Sequence, residues 1–529
     1  MVVSAHPLAS AAGVRILKAG GNAWDAAVAV QFTLAVVLPV AGNIGGGGFA
    51  VYRQSGGECG SLDFREKAPS GATRDMYLDG NGDLKETASL AGHLASGVPG
   101  SVDGMVSLHK RFGTLSWAEL LEPAIELAQE GFGLTEEGAA GINSAQDLFK
   151  SVNNHDFVYI RDTPWRKGDV LIQEDLAETL RRIKYEGRNG FYDGITARLL
   201  VEEMKSGGGI ITLEDLRAYQ SQWRDPVVGT YKSHRIISMP PPSSGGIALI
   251  QLLKSVEEYP FSRFGHNSWK ALHLMTEVEK RVYADRATYL GDPDFVDVPQ
   301  KMLLNDIYLG NRMSKISMKR STPSTDIKKG HVDAVESVQT THFSIVDGQG
   351  NAVSITTTLN SYFGSKVMVR GAGFFLNNEM DDFSVKAGVP NQFGLLGGVA
   401  NEIVPGKRML SSMTPTIVEK DNKLLMVVGT PGGSTIITSV FQTILNVIDH
   451  HMGMQDAVDA SRLHHQWLPD RILMEDQAID RKVKDQLVRK GHSFEERGKI
   501  GRVDAILVLP DGRLEGGADH RGDDKAIGF

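Results

Sequence analysis

The chain has 529 residues, of which 41% are hydrophobic and 23% charged, a composition typical of a globular protein that can bury a sizeable core. Its formal net charge of −8 gives no electrostatic support for a nucleic-acid partner and disfavours adsorption of the whole surface to an anionic membrane. The single cysteine, Cys59, excludes an intramolecular disulfide.

The N-terminal region predicts buried helices followed by a strand pair. A helical pattern runs from about 5 to 38, and Asn22 is a suitable cap for its second part. The apolar stretch at 26–41 is short for a membrane span. After a glycine run, Phe49–Arg53 and Ser61–Phe64 are predicted strands, with Cys59 in the turn between them.

The middle of the chain is predicted to be mainly helical, from about 99 to 285. Three prolines within Pro240–Gly246 cannot continue a helix, so this segment predicts a rigid turn before a helix that starts near Ile247. The following segment, 313–338, is polar and poor in large apolar groups, which predicts an exposed, mobile stretch.

The C-terminal part has a residue pattern typical of β-strands and hairpins. Thr341–Val346 and Ala352–Thr358 are joined by an Asp-Gly-Gln-Gly-Asn turn and predict a hairpin. Leu424–Val428 predicts a strand, followed by a glycine-rich turn and a long apolar helix to about Ile448. A last hairpin is predicted near 505–516.

Thr340, which directly precedes the first of these strands, is a candidate nucleophile. A threonine hydroxyl is weakly nucleophilic unless a base lies next to it, and an N-terminal threonine supplies its own α-amine as that base. The amine has a pKa of about 7.7–8, so much of it is neutral near physiological pH. Threonines at the start of a strand also occur for their β propensity alone.

The histidines do not predict a metal site. His342 is more simply explained as a packed or hydrogen-bonded strand residue than as a general base. His464 and His465 are adjacent and would point to opposite faces of a strand, without further ligands at zinc spacing. We therefore expect no metal, nucleotide or flavin, and no other cofactor.

Several separated segments together resemble the γ-glutamyltransferase (glutathione hydrolase) family of N-terminal-nucleophile hydrolases. They occur in the family's order across nearly the whole chain: 20–23, 43–49, 63–69, 240–246, 283–286, 291–293, 339–342, 376–383, 410–413 and 431–433.

The resemblance implies self-cleavage between Gln339 and Thr340. A large subunit, 1–339, and a small subunit, 340–529, would remain together as a heterodimer in one interlocked catalytic domain. The implied fold is an α+β four-layer αββα sandwich with two mostly antiparallel sheets. The implied reaction transfers a γ-glutamyl group from glutathione or a similar small molecule, through a Thr340 ester, to water or an amine. The resemblance also suggests a bacterial periplasmic or secreted enzyme, although no signal peptide stands in this numbering.

The matching positions carry roles in the implied site. Thr358, on the opposite strand of the predicted hairpin, would orient the Thr340 hydroxyl. Gly432 and Gly433 would offer backbone N–H groups to the tetrahedral oxyanion, since residues without side chains allow close approach.

A second group of matching positions implies a zwitterion clamp for the donor. Its members are Arg65, Ser411 and Ser412 for the α-carboxylate and Asn360, Glu379 and Asp382 for the α-ammonium. Without the resemblance, the same residues have ordinary interpretations as a surface ion pair, a turn and a helix cap.

Phe393 is a departure from the family pattern. It lies in a segment that resembles the lid loop of some members, which carry a tyrosine there. Phenylalanine can cover a pocket but cannot form the phenolic hydrogen bond, which leaves the balance between hydrolysis and transpeptidation open. Two other hypotheses remain: a related acylase or poly-γ-glutamate-processing enzyme with the same nucleophile, and a non-catalytic binding protein that never matures.

Overall fold

Two β-sheets packed face to face form the centre of the structure, a computed structural model that describes residues 1–85, 87–327, 340–385, 392 and 398–529. The strands in chain order are β1 (Val2–Ser4), β2 (Gly47–Arg53), β3 (Cys59–Phe64), β4 (Phe132–Gly133), β5 (Val170–Leu171), β6 (Gln222–Arg224), β7 (Val227–Tyr231), β8 (His234–Ser238), β9 (Thr341–Val346), β10 (Ala352–Thr358), β11 (Thr416–Lys420), β12 (Lys423–Gly429), β13 (Leu463–His464), β14 (Ile472–Met474), β15 (Phe494–Glu496), β16 (Asp504–Val508), β17 (Leu514–Ala518) and β18 (Lys525–Ile527).

The α-helices in chain order are α1 (Pro7–Lys18), α2 (Ala23–Val37), α3 (Ser101–Phe112), α4 (Trp117–Glu130), α5 (Glu136–Ser144), α6 (Gln146–Val152), α7 (Glu174–Glu186), α8 (Asn189–Tyr192), α9 (Gly194–Ser206), α10 (Leu213–Ala218), α11 (Gly245–Val256), α12 (Phe261–Phe264), α13 (Trp269–Tyr289), α14 (Gln300–Leu303), α15 (Asp306–Met313), α16 (Thr435–Ile448), α17 (Met454–Asp459) and α18 (Arg481–Arg489). Short 3₁₀ turns occur at His93–Ala95, Ser324–Asp326, Glu379–Asp382 and Val399–Asn401.

The first sheet has seven strands in the order β18-β1-β9-β10-β2-β3-β6, and the second has six in the order β17-β16-β12-β11-β8-β7. Neighbouring strands in both sheets are antiparallel. The first sheet interleaves strands from both sides of Thr340, with β1 between β18 and β9, so the chain segments on either side of this residue share one hydrogen-bonded layer.

Three apolar cores separate four layers. The core between the sheets joins Phe49 and Val51 of β2 to Ile237, Ile417 and Val427 of the second sheet. A second core lies between the first sheet and the helices that include α2 and α4. A third lies between the second sheet and α11, α13 and α16. The predicted αββα sandwich is therefore confirmed.

Local sequence signals explain the central helix and hairpin. The Asn22 side chain accepts hydrogen bonds from the backbone amides of Trp24 and Asp25, while Asp25 accepts from the Asn22 amide. This capping box starts α2, and every residue of that helix is buried. β9 and β10 have the predicted bounds, and Asp347 Oδ1 in their turn accepts hydrogen bonds from two backbone amides.

The segment from 99 to 285 is mainly helical, as predicted, and contains α3 to α12 and most of α13. This region also holds β6, β7 and β8. The β7–β8 hairpin turns at Lys232, which has a left-handed φ of 52°, and β8 pairs with β11 from much later in the chain. Such a short hairpin is stabilised chiefly by this distant partner, which local periodicity does not reveal.

The prediction of an exposed segment from 313 to 338 fits most of its described part, 313–327, in which two residues are buried. Ser324 and Ile327 are buried, and the Thr322 amide donates a hydrogen bond to Glu277 of α13. The Trp467 indole N–H donates to the Ser324 carbonyl. A polar segment can be buried when neighbouring groups satisfy its hydrogen bonds. Residues 328–338 lie outside the described part of the chain. Within the described ranges, no helix is both long and apolar enough to cross a membrane.

Candidate active site

Thr340 lies half-buried at the entrance to β9, at the rim of the central hairpin. Thr341 pairs with Thr357 in the β9–β10 register, so the next position brings Thr340 opposite Thr358. Both threonines line one cavity of about 20 Å³, room for about one water molecule. The predicted nucleophile and its predicted orienting partner therefore lie side by side.

The same cavity brings together nearly all of the predicted site residues. Its predicted lining residues are Arg65, Thr340, Thr358, Asn360, Glu379, Asp382, Ser411, Ser412 and Gly433. Arg286, Met413 and Ile436 also line it and were not assigned a role from the sequence. Gly432 adjoins the cavity through Gly433. Gln339 and Phe393 lie outside the described residues, so the predicted cleavage position and lid residue are not located.

The acid–arginine cluster consists of Arg65, Glu66, Glu379 and Asp382, and all of these except Glu66 line the cavity. Arg65 is fully buried just after β3, with Nη1 2.6 Å from Glu379 Oε2 and Nη2 2.5 Å from Asp382 Oδ2. Its Nη1 is 3.5 Å from Glu66 Oε2, and its Nε donates to the Met409 carbonyl. The residues predicted to bind opposite ends of a zwitterion are thus paired with each other in this structure.

Thr358 and Asn360 form the turn that leaves β10. Asn360 has a left-handed φ of 75°, which asparagine tolerates better than most residues. Its backbone amide donates to Thr358 Oγ1 at 2.7 Å, and its side-chain amide donates to the Asn378 carbonyl. Because a backbone N–H can only donate, the Thr358 hydroxyl can donate its own proton, and its side chain also hydrogen-bonds Glu379.

Gly432 and Gly433 lie between β12 and the N-terminus of α16, with φ values of +145° and +54°. A Cβ on Gly432 would lie 2.5 Å from Thr435 Oγ1, so this position requires glycine on both steric and conformational grounds. Within the described ranges, neither backbone amide donates a hydrogen bond to the protein. Two such N–H groups at a helix N-terminus can stabilise a developing negative charge.

The serine pair is held by groups that can only donate. Ser411 Oγ accepts a hydrogen bond from the Met413 amide at 3.1 Å, and Ser412 Oγ accepts one from Arg286 Nη2 at 3.0 Å. The Pro240–Gly246 turn supports them, since both the amide and the hydroxyl of Ser244 donate to the Ser411 carbonyl. Each serine hydroxyl therefore retains its proton for an acceptor in the cavity.

Comparison with known proteins agrees with this geometry. The sequence profile of the family described as gamma-glutamyltranspeptidase matches residues 9–529. The chain belongs to the γ-glutamyltranspeptidase family. The glutathione hydrolase proenzyme of Escherichia coli (strain K12) is 44% identical over 532 aligned residues, which cover 100% of this chain and 92% of that protein.

Solved structures of the family and its acylase relatives share the fold. The γ-glutamyltranspeptidase of Helicobacter pylori is 45% identical with a TM-score of 0.60, over 62% of this chain and 94% of that chain. The cephalosporin acylase of Bacillus halodurans is 28% identical with a TM-score of 0.84, over 99% of this chain and 94% of that chain.

Burial shifts the pKa values of several ionisable side chains in and near the cavity. Burial raises the pKa of Glu66, Glu379 and Asp382 above the usual carboxyl range, and the Arg65 guanidinium offsets only part of that effect. His342 is also fully buried, and its two ring nitrogens form hydrogen bonds with Thr356 Oγ1 and Ser344 Oγ. Burial lowers the pKa of His342 to about 3. It does not line the cavity and is a hydrogen-bonded strand residue, as the sequence favoured.

The raised pKa of Glu66 predicts a pH-dependent stability. Burial raises this pKa to about 8 from an ordinary 4.5. Between these values the unfolded chain loses the proton and the native chain keeps it, so stability falls as pH rises. The free energy of unfolding of the protein that keeps Glu66 should therefore fall relative to that of the Glu66→Gln variant. The expected fall is up to about 1.4 kcal/mol per pH unit from about pH 5 to about pH 8.

This difference can be measured by urea unfolding of both proteins on a Thr340→Ala background, where no cleavage is expected. A difference that stays constant over the same pH range would mean that Glu66 is ionised in the native state.

A second cavity, of about 410 Å³, reaches Thr340 from another direction. Its lining residues include Val40, Glu137, Tyr362, Pro431, Lys499 and Arg502. Thr340 therefore stands between a small, highly charged cavity and a larger one with mixed polar and apolar walls.

Sequence reasoning missed the role of Arg286, although it lies in one of the segments that carry the family resemblance. That segment was the signal in the sequence, whereas the burial of every residue from Ala271 to Arg286 in α13 is seen only in the structure. A charge in such a position needs a specific partner or function.

Proposed function

We propose that this protein is a γ-glutamyl hydrolase and transferase that forms a γ-glutamyl ester on Thr340. The observation that carries the proposal is the convergence on a single cavity of Thr340, Thr358 and Gly433 with Arg65, Glu379 and Asp382. Glutathione and related γ-glutamyl amides are the proposed donors, in line with the E. coli relative, a glutathione hydrolase proenzyme.

Maturation would begin with attack of the Thr340 hydroxyl on the carbonyl of Gln339. The resulting ester would be hydrolysed, giving a large subunit, 1–339, and a small subunit, 340–529, with Thr340 at the new N-terminus. The proenzyme names of curated relatives support this step. The interleaved strands of the first sheet would hold the two products together.

In turnover, the α-amine of Thr340 would take the hydroxyl proton as Oγ1 attacks the γ-carbonyl of the donor. The Gly432 and Gly433 amides would bind the oxyanion of the tetrahedral intermediate, and Thr358 would orient the hydroxyl. The protonated amine would then deliver its proton to the leaving amine as the C–N bond breaks. Water or a second amine would attack the Thr340 ester and release the γ-glutamyl group.

The two cavities suit the two halves of the substrate. Arg65, Ser411 and Ser412 would bind the donor α-carboxylate, while Asn360, Glu379 and Asp382 would bind the α-ammonium. Since the small cavity holds only about one water, the donor would enter by replacing contacts within the acid–arginine cluster. The larger cavity would hold the leaving group and then the acceptor.

An acylase that uses the same nucleophile is the second candidate. The observation in its favour is the whole-length likeness to cephalosporin acylase. A glutaryl group has the carboxylate of the γ-glutamyl group but lacks its α-ammonium, so Asn360, Glu379 and Asp382 would have no cation to bind.

Kinetics with three substrates side by side test the proposal: a γ-glutamyl-anilide, a glutaryl-anilide and poly-γ-glutamate. We expect kcat/KM for the γ-glutamyl-anilide to exceed that for the glutaryl-anilide by about 10²-fold or more, because hydrogen bonds to a charged group contribute about 1.5–3 kcal/mol each. A preference for the glutaryl compound would favour the acylase, and a preference for the polymer would favour the poly-γ-glutamate-processing alternative.

A further inference from the structure

Two buried arginines face the small cavity, and their surroundings differ sharply. Arg65 has three carboxyl groups within 3.5 Å, those of Glu66, Glu379 and Asp382. Its guanidinium is therefore already paired with acidic side chains before any donor binds. A carboxylate that enters the cavity meets an arginine whose guanidinium is already occupied.

Arg286, near the end of α13, has hydroxyl partners instead. Its Nε donates to Ser244 Oγ at 2.9 Å and its Nη2 to Ser412 Oγ at 3.0 Å. The part of the chain that the structure describes places no carboxylate within 4 Å of its guanidinium. Asp382 acts on it only from a greater distance and is bonded to Arg65. Burial lowers the pKa of Arg286 to about 10, so the group remains charged near neutral pH.

A buried charge without a counterion is costly, and its cost falls when an anion binds nearby. The hydrogen bond from Arg286 to Ser412 places the guanidinium charge directly behind a hydroxyl that lines the cavity. Because the Arg286 guanidinium can only donate, it fixes Ser412 Oγ as its acceptor and leaves the Ser412 proton for another acceptor. A positive charge behind a hydroxyl also polarises the O–H bond, so this proton becomes a stronger donor towards an anion.

We propose that Arg286 is a positioning residue that fixes and polarises the Ser412 hydroxyl, so that this hydroxyl and the uncompensated charge behind it bind the α-carboxylate of the donor. The inference rests on the proposed function and adds a residue to it. Recognition of the donor carboxylate then depends on both arginines. Arg65 organises the acidic groups, and Arg286 supplies the charge that no protein carboxylate neutralises.

Two donors that differ at one group test this role. A γ-glutamyl-anilide carries both the α-carboxylate and the α-ammonium, whereas a 4-aminobutyryl-anilide lacks only the carboxylate. For Arg286→Met we expect kcat/KM on the γ-glutamyl-anilide to fall about 10- to 100-fold, chiefly through KM, with less than a threefold change on the 4-aminobutyryl-anilide. Arg286→Lys, which retains the charge, should recover part of the loss.

A double-mutant cycle with Ser412→Ala tests whether Arg286 acts through that hydroxyl. Since the two side chains are in contact, the double variant should be little worse than the poorer single variant. Arg281→Met is the matched control: Arg281 is another buried arginine of α13, but its partner is Glu277 and it does not line the cavity. This control should leave the ratio of kcat/KM for the two donors unchanged.

Equal losses on both donors, or additive effects of Arg286 and Ser412, would overturn the proposal and leave Arg286 as a structural brace. If Arg286→Met does not mature, the Arg286→Lys and Ser412→Ala single and double variants carry the same comparison. Wild-type protein without activity on the γ-glutamyl-anilide would instead refute the proposed function, so the two failures are distinguishable.

Discussion

Thr340→Ala should abolish both maturation and turnover. The substitution removes the hydroxyl that would attack the Gln339 carbonyl, so the purified protein should run as one band near 57.4 kDa on a denaturing gel. It also removes the atom that would carry the γ-glutamyl ester. Loss of a catalytic nucleophile typically lowers kcat by about 10⁶-fold, which places the variant at background in an anilide assay.

Wild-type protein should show two fragments, with the smaller one beginning at Thr340 by N-terminal sequencing. Thr341→Val is the matched control, because Thr341 is the next residue on β9, is buried and does not line the cavity. Its hydroxyl has no hydrogen-bond partner in the described structure, so an apolar residue of the same shape should preserve cleavage and activity.

Two fragments from Thr340→Ala would show that another protease makes the cut. An uncleaved wild-type chain after prolonged incubation, without a Thr340 N-terminus, would support the alternative of a binding protein that does not mature.

Arg65→Met should have the next largest effect, on donor recognition. Removing one member of a buried charge pair commonly costs about 2–5 kcal/mol, much of it from the charge left unpaired. Here the guanidinium holds Glu379 and Asp382 within 2.6 Å, and its loss would leave both carboxyl groups without their cation. We expect kcat/KM for a γ-glutamyl-anilide to fall about 10²- to 10³-fold.

Arg53→Met separates this loss of recognition from a general loss of stability. Arg53 is also a buried arginine, paired with Glu419 at 2.5 Å, but it does not line the cavity. Both variants should lower the midpoint of thermal unfolding, whereas only Arg65→Met should reduce activity strongly after correction for folded protein. Arg65→Lys keeps a charge without the planar fork and should fall between wild type and Arg65→Met.

If Arg65→Met and Arg53→Met lose activity equally, Arg65 serves stability alone and the donor carboxyl group is bound elsewhere. If Arg65→Met does not fold, the comparison of Arg65→Lys with wild type still reports on the contribution of the guanidinium fork to KM.

Local features of this protein could be predicted from neighbouring residues. The Asn22 cap, the β9–β10 hairpin and the helix after Gly433 depend on hydrogen bonds and side-chain periodicity within a few residues, and each appears in the structure near its expected bounds. The positions that match the family, inside those segments and at Thr358 and Asn360, also named nine residues that line the cavity. Residue chemistry by itself offered an ordinary structural explanation for almost all of these positions.

The sequence by itself therefore determined the nucleophile candidate, the family and the site residues that match its motifs. Only the tertiary structure decided how those residues meet: Arg65 pairs with Glu379 and Asp382, and Arg286 reaches Ser412 from α13. It also decided the pairing of β8 with β11 and the burial of Ser324. The physical reason is that ion pairs, strand partners and burial depend on groups brought together across long chain separations, whose distances local sequence does not encode.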